Sequence, residues 1–293
     1  MSATDTVSTP RRLWLCMADS PRTRNLSRAL AEGMGVTVYL GPNIVPDGPI
    51  AVMLADDANA ARVETARQHA APHQKVALVT GGARQKAAAD LRLPHDIDTG
   101  SLGTAIEGLF AFRDHEMSPG SALEPAMTLH NATFSVQTPG QARQLAGFLG
   151  AAMPRACEMA VGLYVLLANA IELGNLGFSV AEKAQALATG VWDHKVAKRL
   201  SEPTYASRRA HVEFQRGERL ISILVQDDGD GITTGPEGQG DSLRADYRVR
   251  STQLLKALGF AELTWLGGGS TLAASIVLEP APRPALPRSP ATS

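Results

Sequence analysis

The chain has 293 residues, which is enough for two domains of ordinary size. Its 28 basic and 29 acidic residues nearly cancel, so no net basic charge argues for nucleic-acid binding. The two cysteines, Cys16 and Cys157, have no metal-binding spacing and indicate no disulfide framework. Residues 1–12 lack the apolar segment of a signal peptide, and no apolar run approaches the roughly 18–20 residues of a membrane span. We therefore expect a soluble, cytoplasmic protein that binds neither nucleic acid nor membrane.

Strands and helices alternate through the first part of the chain. Strands are predicted at 13–17, 36–40, 50–55 and 76–80, with a weak fifth near 96–99, and helices at 23–32, 58–69 and 102–113. This alternation predicts an α/β fold, a doubly wound parallel sheet over residues 11–117. Functional residues of such sheets gather at the carboxyl ends of the strands. Asp19, Asp56, Asp57 and Thr80 stand at those ends.

This order of elements resembles the receiver domain of two-component response regulators. The resemblance makes Asp56 or Asp57 the candidate phospho-acceptor and Thr80 the switch hydroxyl. Receivers hold Mg²⁺ with an acidic pair after the first strand, where this chain has Asp19 alone, and the Lys expected after the fifth strand is missing. Phosphoryl transfer needs such groups to offset the charge on the phosphoryl oxygens. We therefore favour a pseudo-receiver used for docking or dimerisation over a phosphorylatable receiver.

Residues 118–129 contain a Pro- and Gly-rich segment and are predicted to be a linker. A second domain is predicted over residues 130–279, and the segments 1–10 and 280–293 are expected to be disordered. The predicted elements of the second domain begin with a strand at 132–136, a helix from Thr138 to about 152, a buried helix at 162–175, and helices at 181–189 and 193–200. They continue with a hairpin of strands at 210–216 and 220–226, a helix at 252–258, and a last strand that carries Thr271.

Polar residues interrupt this pattern in two places. The buried helix is apolar except for Asn169 and Glu172, which are three residues apart and expected on one helix face. A buried amide needs hydrogen-bond partners, so Asn169 either pairs helices or faces a ligand. The second hairpin strand runs into Asp227, followed by Gly229 and Gly231. Glycines at such a turn let the backbone pass close to a flat ligand. A calcium loop is excluded because the twelfth position is glycine, not Glu.

Taken together, these features resemble the ATP-binding domain shared by histidine kinases, Hsp90-type chaperones and anti-sigma serine kinases. The nine residues from Asn169 to Gly177, NAIELGNLG, place the likeness closest to the bacterial regulatory branch, as do EPTYASRR at 202–209 and GGGST at 267–271. The resemblance implies an α/β two-layer sandwich of the histidine-kinase-like ATPase type, with ATP and Mg²⁺ as cofactors.

The same resemblance implies a role for each residue of the site. Asn169 would ligate Mg²⁺ on the triphosphate, and Asp227 would accept a hydrogen bond from the adenine amino group. Gly229 and Gly231 would let the base enter the pocket. Thr271 would lie near the adenine and act through a water molecule.

Two departures from the family pattern bear on activity. Val165 stands where serine kinases of this family carry a Glu as general base, four residues before Asn169. The phosphate-binding loop expected just before the helix at 252–258 has no glycine at 249–251. Glycines occur earlier instead, in a predicted mobile lid at 233–242. The sequence therefore keeps the adenine side of the pocket and loses the phosphate side.

These patterns predict a bacterial signal-transduction regulator that acts by binding another protein. The expected partner is a sigma factor, an anti-sigma antagonist, a kinase or a response regulator, with a homodimer as a further option. We expect a pseudoenzyme in which ATP and Mg²⁺ bind weakly or not at all. One alternative is an active ATP-dependent anti-sigma-type serine kinase in which Glu172 or a partner residue is the base. Another is a histidine-kinase-derived phosphotransferase that uses Asp56 or Asp57.

Overall fold

A computed structural model describes residues 11–68, 70–81, 88–118, 128–229 and 240–278, with the backbone alone for 33 and 240–248. Within these ranges the strands are β1 (Arg12–Cys16), β2 (Thr37–Leu40), β3 (Ile50–Asp56), β4 (Ala70–Thr80), β5 (Leu91–Pro94), β6 (Asn131–Val136), β7 (Ala210–Arg216), β8 (Leu220–Asp227), β9 (Glu262–Leu266) and β10 (Thr271–Val277). The helices are α1 (Pro21–Met34), α2 (Arg62–Gln68), α3 (Thr99–Met117), α4 (Pro139–Ala151), α5 (Ala156–Asn169), α6 (Val180–Ala188), α7 (Trp192–Ser201) and α8 (Gly240–Ala257). The predicted disordered ends and most of the predicted linker lie outside the described residues.

The first half of the molecule, residues 11–118, is built on a parallel sheet with the strand order β2-β1-β3-β4-β5. Its central strands are buried on both faces, and alternate residues serve two different cores. In β1, Leu13 and Leu15 face the core under α1 and α3, whereas Trp14 and Cys16 face a smaller core under α2. Helices therefore cover both faces, which confirms the predicted α/β class.

The fifth strand is not where the sequence pattern predicted it. The predicted strand at 96–99 is wrong: β5 is Leu91–Pro94, and it pairs with β4 in parallel register. The predicted residues form the turn into α3, where the Asp98 side chain accepts a hydrogen bond from the Ser101 backbone N–H at 2.9 Å. An aspartate in this position satisfies a free N–H of the first helical turn, so it starts a helix and ends any strand.

The second half, residues 128–278, is built on an antiparallel sheet with the strand order β6-β7-β8-β10-β9. Buried and exposed residues alternate along its strands, so one face is apolar and the other meets solvent. In β7, for example, Val212 and Phe214 are buried whereas Glu213 between them is exposed. Helices α4 and α5 cover the apolar face. Thr138 caps α4 through a capping box with Gln141, as the Thr-Pro sequence predicted.

One hydrophobic core runs through both halves, from Leu13 in β1 to Ile276 in β10. Helix α3 makes the connection, because it packs on the first sheet with one side and on α4 and α5 with the other. Leu109 and Phe110 of α3 are fully buried as a result. The two halves are therefore packed into one body rather than joined only by the linker.

Helix α5 and the turn after it form the most apolar segment of the chain. Residues Ala156–Asn175 are long and apolar enough, by length and composition, to cross a membrane, so the expectation that no such run exists is wrong. However, 78% of the most apolar window is buried inside the protein. A helix that is apolar on all sides is the expected form of a core helix enclosed by other elements.

Two helices of the second half approach closely at a glycine. A Cβ atom added to Gly150 in α4 would lie 2.5 Å from the Cα atom of Ala160 in α5. We expect Gly150→Ala to reduce the free energy of unfolding by about 1–3 kcal/mol, because the helices must separate to admit the methyl group. Urea denaturation followed by circular dichroism measures this change.

Gly140 provides the matched control in the same helix. The nearest atom to its added Cβ is the Thr138 Oγ1 at 3.7 Å, an ordinary contact. Gly140→Ala is therefore expected to change stability little or to increase it, since Ala favours the helix. Equal effects of the two substitutions would contradict the close helix contact.

Candidate functional site

Asn169 and Asp227 meet at one cavity, although they are 58 residues apart in sequence. Asn169 is the last residue of α5, and Asp227 is the last residue of β8. Both line a narrow cavity of about 30 Å³, which Ser251 of α8 and Trp265 of β9 also line. We call it the Asp227 cavity. The structure thus brings together the two residues that carry the resemblance to ATP-binding domains.

A π-helical turn shapes this cavity. After α5 the chain widens into a π-helix at Ala170–Asn175, where the Leu176 N–H donates to the Ile171 carbonyl at 2.8 Å. The wider turn rotates the residues that follow it, so Asn169 and Glu172 do not share a face. Asn169 lines the cavity, whereas Glu172 does not, and its carboxylate accepts a hydrogen bond from the Lys183 ammonium group of α6 at 2.6 Å. π-Turns of this kind occur frequently at functional sites.

Glycines bring the π-turn and the end of β8 into direct contact. A Cβ atom on Gly174 would lie 2.4 Å from the carboxyl carbon of Asp227, and one on Gly229 would lie 2.2 Å from the Gly174 carbonyl oxygen. A side chain fits at neither position unless the backbone moves. Both glycines therefore make room for the protein's own backbone and carboxylate. Gly231 lies outside the described residues.

Asp227 is a buried carboxyl group with few partners. Its side chain accepts a hydrogen bond from the Gly229 backbone N–H at 3.0 Å. Burial, and to a smaller extent the charge of Asp228, raises the pKa of Asp227 to about 6, while the hydrogen bond from Gly229 acts in the opposite direction. A carboxyl group with this pKa changes its charge just below neutral pH, which suits it to respond to a donor that enters the cavity.

Asn175, one residue of the NAIELGNLG motif, has a role that the sequence did not reveal. It is buried, and its side-chain oxygen accepts a hydrogen bond from the Asp228 backbone N–H at 2.7 Å. Its carbonyl accepts one from Arg208 at 3.0 Å. Asn175 therefore fastens the π-turn to the end of β8. Its buried Nδ2 atom has no hydrogen-bond partner among the described residues.

Thr271 does not line the Asp227 cavity, although the resemblance placed it near the adenine. It pairs with Gln226 in the antiparallel ladder, and the buried residues of β10, such as Leu272, point to the opposite face. Ser270, the residue before it, lines the cavity instead, and its carbonyl accepts from the Asp227 N–H. The alternation of side chains along a strand is the signal that separates these two neighbours.

The described residues offer no catalytic base at the two positions considered from the sequence, Val165 and Glu172. Val165 lies on α5 and is buried in the hydrophobic core of the protein. Glu172 is 2% exposed, and its carboxylate is held by Lys183. Residues 249–251, where a phosphate loop was predicted, lie inside helix α8, and most of the predicted lid falls outside the described residues. Within the described ranges, no group of three His, Cys, Asp or Glu side chains could hold a metal ion.

The acids of the first half are engaged locally rather than gathered into a site. Asp56 accepts hydrogen bonds from both the backbone and the side chain of Asn59. Asp57 accepts from the Gly81 N–H at 2.9 Å, and this bond together with Thr80 lowers the pKa of Asp57. Asp19 pairs with Arg24 at 2.9 Å on the surface.

The raised pKa of Asp227 predicts a pH-dependent cost to stability. The folded state binds this proton more tightly than the unfolded state, so the free energy of unfolding falls as pH rises from about 4 to about 6. Asp227→Asn keeps an oxygen for the Gly229 N–H and removes the buried charge. We expect this variant to be more stable than the parent protein by about 1–3 kcal/mol at pH 7 and equally stable near pH 4.

Urea denaturation at pH 4, 5.5 and 7 measures this difference. Glu213→Gln is the matched control, because Glu213 is an exposed carboxylate on the outer face of the same sheet. A parallel pH profile for Asp227→Asn and the parent protein would contradict the burial of an ionised Asp227.

No protein-family model matches this chain, and comparison with the curated proteins and with the solved structures gave no significant match.

Proposed function

We propose that this protein is a bacterial signalling regulator that acts by binding another protein. Its first half is a pseudo-receiver, and its second half is a degenerate ATP-binding domain of the histidine-kinase and anti-sigma type. The protein functions in the cytoplasm, with a sigma factor, an anti-sigma antagonist, a kinase, a response regulator or a second copy of the chain as its partner.

The topology of both halves supports this proposal. The parallel order β2-β1-β3-β4-β5 is the order of flavodoxin-like sheets, to which receiver domains belong. The second half has two layers, an antiparallel sheet with helices on one face. Asn169 at the end of α5 and Asp227 at the end of β8 line one cavity, which supports a shared site.

The observation that carries the proposal is the small size of the Asp227 cavity. At about 30 Å³ it has room for one or two water molecules, whereas small-molecule sites occupy roughly 300–1,000 Å³. Of the two glycines that the resemblance assigns to the purine, Gly229 lies against the Gly174 carbonyl oxygen, and Gly231 lies outside the described residues. A cavity of this volume does not hold ATP, and a bound Mg²⁺ would have Asn169 as its single predicted ligand.

The chemistry of the surrounding residues favours a pseudoenzyme. Val165 cannot take a proton, and Glu172 is occupied by a buried ion pair. Without a general base, transfer to a serine hydroxyl loses a factor of roughly 10²–10⁴. An active serine kinase would need its base from the partner protein, and a phosphotransferase would need Asp56 or Asp57 as acceptor.

Titration with ATP and Mg²⁺, followed by thermal unfolding, tests the loss of nucleotide binding. We expect 1 mM ATP-Mg²⁺ to raise the melting temperature by no more than about 1 °C, because a dissociation constant of 1 mM or weaker stabilises by at most about 0.4 kcal/mol. A rise of several degrees that Asp227→Asn or Asn169→Ala abolishes, but Glu213→Gln does not, would overturn the proposal. Phosphate release in the same samples would restore the kinase alternative.

Incubation with acetyl phosphate and Mg²⁺ tests the pseudo-receiver. We expect no covalent phosphate by intact-mass spectrometry, because Asp57 is hydrogen-bonded to Gly81 and no Lys follows β5. A phosphorylatable receiver in the same reaction is the positive control. Incorporation that is lost in Asp56→Asn or Asp57→Asn would instead support the phosphotransferase.

A further inference from the structure

A second, larger cavity lies where the two halves of the molecule meet. Helices α1 and α3 of the first half and α6 of the second half enclose about 230 Å³. This cavity shares no lining residue with the Asp227 cavity. We call it the Glu107 cavity, after the carboxylate that lines it.

Glu107 lies on α3 and is half-buried. One of its oxygens accepts a hydrogen bond from the Tyr164 hydroxyl at 2.9 Å. Its other oxygen has no hydrogen-bond partner among the described residues. Desolvation raises the pKa of this carboxyl group, so the protein on its own supplies too little compensation for a negative charge here.

The charged neighbours of Glu107 do not fully compensate the negative charge of its carboxylate. Lys183 is the nearest buried cation, and its ammonium contacts Glu172 at 2.6 Å and the Thr104 hydroxyl at 3.2 Å. The charge of Lys183 lowers the pKa of Glu107, but its partner Glu172 acts in the opposite direction, and desolvation remains the largest influence. Arg143 acts on Glu107 only through a weaker charge interaction. The position next to Glu107 therefore favours an additional cation.

Small side chains keep the cavity open. Ala29, Gly103, Ala184 and Ala188 line its walls, together with leucines such as Leu26 and Leu187. Gly103 is the most informative, because it lies in the middle of α3 and an added Cβ would meet no atom within 4 Å. Glycine in a helix interior costs roughly 1 kcal/mol relative to alanine, so the helix itself does not favour it. The glycine leaves space instead.

We propose that the Glu107 cavity binds a small aliphatic ammonium compound, with its positive charge on the free oxygen of Glu107 and its carbon chain against Leu26 and Leu187. The volume fits a short chain, and the apolar walls exclude a hydrated inorganic cation. Arg22, Asn25 and Thr99 stand at the polar end of the cavity. The same ammonium chemistry has two possible sources: a simple amine, or an amino acid whose carboxylate is at the opposite end of its carbon chain and reaches Arg22. Because the walls come from both halves, the ligand stabilises their packing.

Isothermal titration of the full chain with n-butylammonium chloride tests this proposal, and n-butanol and butyrate are the matched neutral and anionic probes. We expect saturable binding of the amine and binding of the other two probes at least about tenfold weaker, as for loss of a charge-assisted hydrogen bond. 6-Aminohexanoate, which carries its ammonium and carboxylate at opposite ends of the chain, distinguishes the sources: tighter binding than the amine, lost in Arg22→Gln, identifies an amino acid of this kind, and weaker binding identifies a simple amine.

Two variants test the site by different means. Glu107→Gln keeps an acceptor for Tyr164 and removes the charge, so the affinity for the amine should fall about tenfold or more. Gly103→Leu places a side chain in the open space and should abolish binding. It should also raise the melting temperature, which would show that the loss of binding does not come from a folding defect. Gly140→Ala and Glu213→Gln should bind as the parent protein does. Equal binding of amine and alcohol, or full affinity in Gly103→Leu, would overturn the proposal.

Discussion

The structure depends on helix α5, which is apolar and packs against other elements on all its sides. Helix α5 lies between the antiparallel sheet and helix α3, so its surface is covered by both halves of the chain. Glycines set the distances: Gly150 faces Ala160, Gly108 faces Val161 and Tyr164, and Gly162 faces the ring of Phe260. Burial of apolar surface supplies most of the favourable free energy of folding, and here a single helix concentrates it.

The same helix delivers the polar residues of the candidate site to their positions. Its last residue is Asn169, and the π-turn that follows carries Gly174 against Asp227 and Asn175 against Asp228. Burial of the Asp227 carboxylate costs free energy, and the hydrogen bond from the Gly229 backbone N–H offsets only part of that cost. The net free energy of unfolding of a protein is small, so a cost of this kind is a sizeable fraction of it. Buried groups with perturbed pKa values often occur at functional sites, and Asp227 gives this corner of the fold such a group.

Much of the architecture was predictable from residue patterns, because hydrophobic period and capping residues act locally. Leu13, Leu15 and the Thr138 cap illustrate this. The misplaced strand at 96–99 shows the limit: Asp98 starts a helix, and a strand of four residues, Leu91–Pro94, gives too short a pattern to recognise. The meeting of Asn169 and Asp227 followed from a family resemblance. The closure of their cavity did not, because it depends on backbone contacts of Gly174 and Gly229 that no sequence spacing specifies.

Two positions show why side-chain orientation was harder to predict than secondary structure. A spacing of three residues places Asn169 and Glu172 together on an α-helix, but the π-turn inserts an extra residue per turn and separates them. The resemblance put Thr271 near the adenine, whereas Ser270, one residue earlier, lines the cavity, and a shift of one residue reverses the face of a strand. Both orientations depend on local geometry that tertiary contacts determine.

The shared core around α3 has a consequence for how this protein can be divided. A chain cut at residues 118–129 would leave apolar α3 uncovered on one fragment and apolar α5 uncovered on the other. Neither fragment would therefore be portable without redesign of its uncovered helix face.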